Sequence, residues 1–204
     1  MNVSPRWCVT AIVALGAAAC SDPVPPPAQG AVRVTVQSAS PAIAGKSCPV
    51  TNLVYDVPHV IEPMDPSKPR ETLTESTYVH HIIDGQDGAT VHCSVSGGPT
   101  FTFNGHVALG GRALDISGGT VAANLMGMAR ITVTDTAEAT SGFSHSLASP
   151  GTDPCVIKVV TPQSGVAQVK KGSIWASYTC ASVEASPSDG CSSAGVFVLE
   201  NCDQ

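Results

Sequence analysis

The sequence contains little charge, and most of that charge is acidic. Only 13% of its 204 residues are Asp, Glu, Lys or Arg, about half the share of an ordinary soluble chain. Ten basic and sixteen acidic residues give a formal net charge of −6, and no basic cluster is larger than Lys170–Lys171. Proteins that bind nucleic acid need a basic surface for the phosphates, so the composition excludes this class. A disordered chain is excluded as well, because 43% of the residues are hydrophobic.

The short motifs that identify common enzyme classes are also missing. The chain has no Gly-x-Ser-x-Gly, no His-Glu-x-x-His, no Gly-x-Gly-x-x-Gly and no Walker loop. It has no Cys-x-x-Cys pair, which argues against a zinc site, and we predict neither a metal nor a cofactor. Ser, His and Asp residues are dispersed along the chain, so an envelope hydrolase with unrecognised catalytic residues stays open as an alternative.

Aromatic residues form only 4% of the chain, which leaves few side chains for stacking on a ligand. Trp175 lies in an apolar–polar alternation in which Ser173 and Ser177 share its face, while Ile174 and Ala176 face the other way. This polar surrounding makes Trp175 a candidate binding residue. The alternative is a core Trp that packs near a disulfide, as in many β-sandwiches.

An apolar run near the N-terminus is too short to span a membrane. Val9–Ala19 has eleven uncharged residues after Arg6, whereas a spanning helix needs about 20, so the run predicts the core of a signal peptide. It ends in Ala-Ala-Ala before Cys20, which is similar to the lipobox of bacterial lipoproteins, where the cysteine is lipidated and becomes the mature N-terminus. Ala17 departs from that pattern, since a Leu usually stands there. Simple secretion after a small-x-small site is the alternative.

Cysteine parity favours lipidation of Cys20. Cys8 is lost with the leader, and an acylated Cys20 leaves six cysteines, an even number. Residues 21–30 contain four prolines, and such segments form extended spacers. By similarity to lipoprotein sorting, Ser21 rather than Asp after the cysteine favours the outer membrane over the inner membrane. The predicted organisation is a signal peptide at 1–19, a lipidated Cys20 with its Pro-rich tether at 20–30, and a single domain at 31–204.

Hydrophobic alternation predicts that this domain is all-β. Short runs of alternating apolar and polar residues are separated by Gly, Ser, Pro and Asp, and no long window has helical periodicity. We predict an antiparallel β-sandwich or open barrel of about eight short strands. The strands are expected at 32–36, 90–95, 101–104, 114–116, 131–134, 156–160, 172–179 and 195–200. We expect a turn at Gly118-Gly119, an irregular excursion at 49–69, and a loop or short helix at 67–79.

The six remaining cysteines predict three disulfides, because export favours oxidation over thiolate coordination of a metal. Fifteen pairings can be drawn. If Cys180 ends one strand and Cys191 begins the next, a bridge between them closes the connecting turn. The favoured set is Cys48–Cys93, Cys155–Cys202 and Cys180–Cys191. The alternative is Cys155–Cys180, which would join Cys191 or Cys202 to the N-terminal half.

Two neighbouring histidines and a short acidic loop are further candidate binding residues. His80 and His81 point to opposite faces if they lie on a strand, so they would not share one ion. Asp84 and Asp87 stand among glycines, as in calcium loops, but without the spacing of an EF-hand. Surface histidines and a hairpin turn are the alternatives, since Asp-Gly is common in hairpins.

Several stretches resemble uncharacterised, cysteine-stapled bacterial surface lipoproteins of the myxobacterial type. The stretches are Cys48-Pro49 through His92-Cys93-Ser94-Val95, Gly172–Cys180 and Gly195–Cys202. The resemblance implies an envelope location and no defined activity. The plan of lipidated cysteine, spacer and disulfide-closed domain is also similar to small mycobacterial surface lipoprotein antigens.

The sequence therefore predicts a non-enzymatic, envelope-anchored lipoprotein. Its β domain would serve adhesion, envelope assembly or ligand binding, with polar strand faces and the 49–78 loop as the contact surface. The expected partners are the membrane, through the anchor, and another envelope protein or a surface ligand. A calcium- or metal-dependent binding module is a further alternative.

Overall fold

The computed structural model describes residues 24–50, 52–58, 81–137, 145–161 and 167–204. All regular elements in these ranges are strands. Cys20, His80, residues 59–69 of the predicted excursion and the loop or short helix predicted at 67–79 lie outside the described residues. Over the described ranges, no helix is long and apolar enough to cross a membrane.

Twelve described strands form one antiparallel, curled sheet. Their bounds are β1 (Gln29–Ser38), β2 (Asn52–Val57), β3 (Ile82–Ile83), β4 (Thr90–Gly97), β5 (Phe101–Leu109), β6 (Arg112–Val121), β7 (Met126–Asp135), β8 (His145–Ala148), β9 (Cys155–Val159), β10 (Val169–Lys170), β11 (Ser173–Val183) and β12 (Cys191–Glu200). Along the sheet the order is β2-β1-β12-β11-β9-β7-β6-β5-β4, with β3 also paired to β1, β8 to β7 and β10 to β11. The prediction of an all-β open barrel is confirmed, and each of the eight predicted strands lies within or overlaps an observed one.

Alternation along each strand explains why the sheet curls around one core. Val32, Val34 and Val36 of β1 are fully buried, while Arg33 and Thr35 between them are only half-buried on the outer face. The same inward pattern recurs on the other long strands, and the rings of two inward phenylalanines, one on β5 and one on β12, stack at 5.9 Å. The interior is therefore one continuous apolar core.

Two local predictions are wrong. Part of the expected irregular excursion is β2, where Leu53, Tyr55 and Val57 alternate toward the core and pair with β1. The expected turn at Gly118-Gly119 is instead a bulge inside β6, where the register with β7 shifts. Gly118 has φ +60°, and a Cβ on Gly119 would lie 2.5 Å from the Phe103 ring, so both glycines are needed within the strand.

All six cysteines predicted to be oxidised form disulfides, but the favoured pairings are wrong. The observed pairs are Cys48–Cys191, Cys93–Cys202 and Cys155–Cys180. The last of these is the alternative pairing that the sequence leaves open. The strand β11 continues past Cys180 to Val183, so Cys180 does not lie beside the turn before Cys191. It faces Cys155 across β9 and β11, with the Cα atoms 4.2 Å apart.

The central position of β12 explains the other two bridges. β12 lies between β1 and β11, so its first residue, Cys191, is opposite Ser38 at the end of β1. The loop after β1 then places Cys48 beside it. Past the other end of β12, Cys202 reaches Cys93 on β4, the last strand in the sheet order. This bridge draws one edge of the curled sheet onto the segment after β12.

Candidate functional site

A cleft of about 590 Å³ lies where the Pro-rich segment that the sequence predicts to be a tether meets the end of β12. We call it the rim cleft. Its walls come from the tether, from the β3–β4 and β10–β11 turns, from the beginning of β4 and from the segment after β12. The lining includes Pro25, Pro26 and Ala28 of the tether, the imidazole of His92, the cations Lys170 and Lys171, and the carboxylates of Asp84, Glu200 and Asp203.

The end of the Pro-rich tether is fixed to the domain by two hydrogen bonds. The Asn201 Nδ2 donates to the Pro27 carbonyl at 3.2 Å, and the Asp84 backbone N–H donates to the Ala28 carbonyl at 2.9 Å. The strand β1 then begins at Gln29, two residues before the expected start of the domain. The chain from Pro25 onward is thus part of the wall of the rim cleft.

Charges of both signs line this cleft. Lys170 and Lys171 are exposed, and no ion pair joins either of them to a carboxylate in the described part of the chain. Asp84 and Glu200 are half-buried, and Asp203 is exposed. Sequence reading noted the lysine pair only as the largest basic cluster, because the carboxylates near it come from distant parts of the chain.

Asp84 and Asp87 lie in the turn between β3 and β4. The Asp84 Oδ1 accepts the Val91 N–H at 2.9 Å, so this carboxylate already orders the turn. Asp87 is exposed at φ +52°, between glycines that also have positive φ. Within the described ranges, no group of three or more His, Cys, Asp and Glu side chains is arranged to hold a metal ion.

His81 contacts a carboxylate at the edge of the same region. Its Nε2 lies 2.9 Å from Glu200 Oε2, and its side chain is 19% exposed. Burial lowers the pKa of the His81 imidazole below its ordinary value, and the negative charge of Glu200 opposes this only in part. Burial therefore favours the neutral imidazole at neutral pH.

Trp175 lies on the outer face of β11, away from the main core. Its half-buried side chain packs with Ala31, Val196 and Val198, which form a small second apolar cluster on the outer face of β1 and β12. It is paired with Val198 across the strands. The surrounding of Trp175 is therefore more apolar than its same-strand serine neighbours indicated.

A row of ionisable side chains across three strands was missed by sequence reading. The ring of His92 stacks on that of His106 at 6.4 Å, and His106 Nδ1 lies 2.6 Å from Asp115 Oδ1. The three residues are directly opposite one another on β4, β5 and β6. Alternation along each strand would predict that each of the three side chains lies on the outer face of its strand. Their alignment in one row depends on the register between β4, β5 and β6. In the described residues, no serine hydroxyl is hydrogen-bonded to His92 or His106.

A second groove, of about 530 Å³, lies toward the other end of the sheet. We call it the distal groove. Hydroxyl and amide side chains of β1, β11 and β12 line it, and the loop after β1 contributes an apolar wall. The lining includes Thr35, Gln37, Thr179 and Ser192 from the strands, and Pro41 and Ile43 from the loop.

Comparison with known proteins gives no assignment for this chain. No protein family, no curated protein and no solved structure matches the chain.

Proposed function

We propose that the protein is a non-enzymatic envelope lipoprotein, anchored through Cys20, whose β domain binds an envelope protein or a surface ligand. The observation that carries the proposal is the placement of two features at opposite ends of one strand. The tether is fixed beside Asn201, just after β12, and the distal groove is lined by Ser192 near the beginning of β12. A ten-residue strand separates them by about 30 Å. A tethered domain would thus present the groove away from the membrane.

The disulfides support the same proposal. Disulfides persist in oxidising compartments such as the periplasm and the cell surface. One bridge, Cys48–Cys191, fixes the loop beside the distal groove, and another, Cys93–Cys202, fixes the end that holds the tether. Both ends of the domain are thereby stiffened, which suits a binding surface that must stay formed outside the cell.

An intact mass of the membrane-extracted protein, with a non-reducing peptide map, tests the anchor. We expect acyl mass on Cys20 and the three observed bridges, and separation of the membranes should place the protein in the outer one. An unmodified Cys20 would contradict the proposal.

Substitutions in the distal groove test its role as the contact surface. We expect Thr179→Arg to abolish binding of the chain to envelope preparations, because a long cation would fill the groove. Thr132→Arg, on the half-buried outer face of β7, is the matched control and should bind normally. Equal binding by both variants would move the contact surface elsewhere.

An envelope hydrolase is the second candidate, and the histidine–carboxylate pairs favour it. His81–Glu200 and His106–Asp115 have the contact that orients a general base in hydrolases. If this candidate is right, the purified chain hydrolyses ester or amide substrates and His106→Ala removes the activity. A chain without activity on such a panel would dismiss it.

A calcium-dependent module is the weakest of the candidates, because the Asp84 carboxylate already accepts a backbone N–H. A melting temperature that rises with calcium and falls with EDTA would favour it. An unchanged melting temperature would dismiss it.

A further inference from the structure

The rim cleft lies close to the proposed anchor. Pro25 is the fifth residue after Cys20, so the chain between them cannot span more than about 18 Å. Pro25 and Pro26 are themselves part of the cleft wall. If Cys20 is lipidated, the cleft is held within reach of the lipid head groups, whose layer begins where the hydrocarbon core ends. The inference therefore rests on the proposed function.

The charges of the cleft do not suit a simple anion. Lys170 and Lys171 supply two positive charges, but Asp84, Glu200 and Asp203 supply three carboxylates. An anion such as free phosphate would be attracted by the lysines and repelled by the carboxylates. A ligand that carries both signs, with its phosphate and its ammonium a few atoms apart, satisfies both sets of groups.

We propose that the rim cleft binds the phosphoethanolamine head group of a membrane aminophospholipid. Lys170 and Lys171 contact the phosphate, and the carboxylates of Asp84 and Asp203 accept hydrogen bonds from the ammonium. Asp203 is suited to this role because its backbone, not its side chain, holds the segment in place: its N–H donates to the Cys93 carbonyl and its carbonyl accepts from Val95. No bond is made or broken in this binding.

Titration of the full chain carrying Cys20→Ser with O-phosphoethanolamine, followed by NMR of backbone amides, tests the chemistry of the cleft. We expect saturable shifts at Lys170–Gly172 and Asp203. Phosphocholine should bind roughly fivefold more weakly, the effect of one lost hydrogen bond, because its trimethylammonium group cannot donate hydrogen bonds to the carboxylates. Equal binding of inorganic phosphate would overturn the zwitterionic site, and so would the absence of saturable shifts.

Three variants separate the two halves of the site. Lys170→Gln/Lys171→Gln should weaken phosphoethanolamine binding by roughly fivefold per lysine, the effect of one cation near a lipid phosphate. Asp203→Asn should abolish the preference over phosphocholine while retaining phosphate contact. Arg130→Gln removes an exposed cation from β7, outside the cleft, and should change neither. A loss of affinity in Arg130→Gln equal to that in the lysine variant would indicate a general charge effect and overturn the proposal.

Nanodiscs distinguish a lipid head group from a soluble compound. The amides of the cleft should shift on phosphatidylethanolamine discs and not on phosphatidylcholine discs. A response to soluble phosphoethanolamine alone would overturn the membrane source. The mass of Cys20 decides the anchor independently, so an unmodified cysteine in a chain that still binds phosphoethanolamine would refute the anchor and leave the cleft chemistry standing.

Discussion

On one side of the sheet, neighbouring strands are close together in the sequence, whereas on the other side they are far apart in the sequence. Strands β4 to β7 follow one another and form a meander in which each strand pairs with the next through a short turn. On the other side, β1 pairs with β12, which lies about 160 residues later in the chain. We call β1, β9, β11 and β12 the cystine sector, because five of the six bridged cysteines lie in these strands, in the loop after β1 or just after β12.

This difference shows where covalent cross-links are useful. The meander closes small loops, whose entropic cost is low, and no disulfide joins two of its described strands. The cystine sector must close very long loops, and a disulfide reduces that cost by restricting the unfolded chain. Two of the three bridges therefore join segments that are more than a hundred residues apart, and the third closes a separation of 25 residues within the cystine sector.

The largest expected effect concerns the disulfides themselves. Cys48→Ala/Cys191→Ala should lower the free energy of unfolding by about 5 kcal/mol, and Cys155→Ala/Cys180→Ala by about 3.5 kcal/mol, because the loop-closure entropy grows with the length of the loop. The two bridges close sequence separations of 143 and 25 residues. Guanidinium titration measures both values.

A fully reduced sample provides the control for this comparison. With all bridges open, the two variants should differ from each other by less than about 1 kcal/mol. Equal losses under oxidising conditions would show that the bridges act on the folded state and not through loop length.

The contact between the two sides should be sensitive to one added methyl group. A Cβ on Gly105 of β5 would lie 2.5 Å from Leu199 Cδ1 of β12. Gly105→Ala should therefore cost about 1–3 kcal/mol of stability by overpacking, and adding Leu199→Val should recover part of it. Thr102→Ala, on the exposed face of β5, should change stability by less than about 0.5 kcal/mol. Additive losses in the double variant would contradict the contact.

Alkaline pH should affect two buried tyrosines, one in the cystine sector and one on β2 whose hydroxyl reaches the meander. Burial raises the pKa of Tyr178 in the cystine sector and of Tyr55, whose hydroxyl donates to the Ala113 carbonyl in the meander at 2.7 Å. A folded-state pKa above the unfolded value stabilises the protein fully below about pH 10 and progressively less above it. The free energy of unfolding should fall there by about 1.4 kcal/mol per pH unit for each tyrosine.

Tyr55→Phe and Tyr178→Phe should each remove half of that slope. Denaturant titrations between about pH 9 and 11.5 measure it, since the phenol of an unfolded tyrosine titrates near 10. A slope that is unchanged in both variants would show that other groups cause the alkaline loss.

The smallest expected effect lies at the rim. Burial lowers the pKa of His81 in the folded chain. Just below pH 6.5, the His81 imidazole therefore binds protons more strongly in the unfolded chain than in the folded chain. Stability should therefore fall as the pH drops from about 6.5 toward 5, and His81→Gln should reduce this fall. Comparison of both chains at pH 8, where the imidazole is neutral in either state, gives the pH-independent effect of the substitution. An identical acid slope in both chains would contradict the shift.

The strands could be predicted because a strand with one buried face has apolar and polar residues that alternate along the local sequence. Val32, Val34 and Val36 mark β1 without any knowledge of its partner. The strand β2 was missed because the prolines that flank it, Pro49 and Pro58, outweighed a six-residue alternation. Strands of two to four residues, such as β3 and β10, are too short to carry a pattern.

The disulfide pairing and the candidate sites could not be predicted, because both depend on which strands are neighbours. Cys191 reaches Cys48 only because β12 inserts between β1 and β11. The alignment of His106 with Asp115 likewise requires the register of β5 and β6. The rim cleft needs the tether to dock on the domain, and nothing in the Pro-rich composition indicates a docking partner.

The central position of β12 also has a consequence for the order in which the domain can assemble during synthesis. β12 emerges after the other eleven described strands, yet all ten residues of β1 pair with β12. The meander can form as soon as residue 135 is available, whereas β1 must wait with one edge unpaired until residue 200 has appeared. A chain that stops at Gly190 would keep only the Cys155–Cys180 bridge, and both Cys48 and Cys93 would lack their native partners. Completion of the last strand is thus the step that commits the whole domain to its fold.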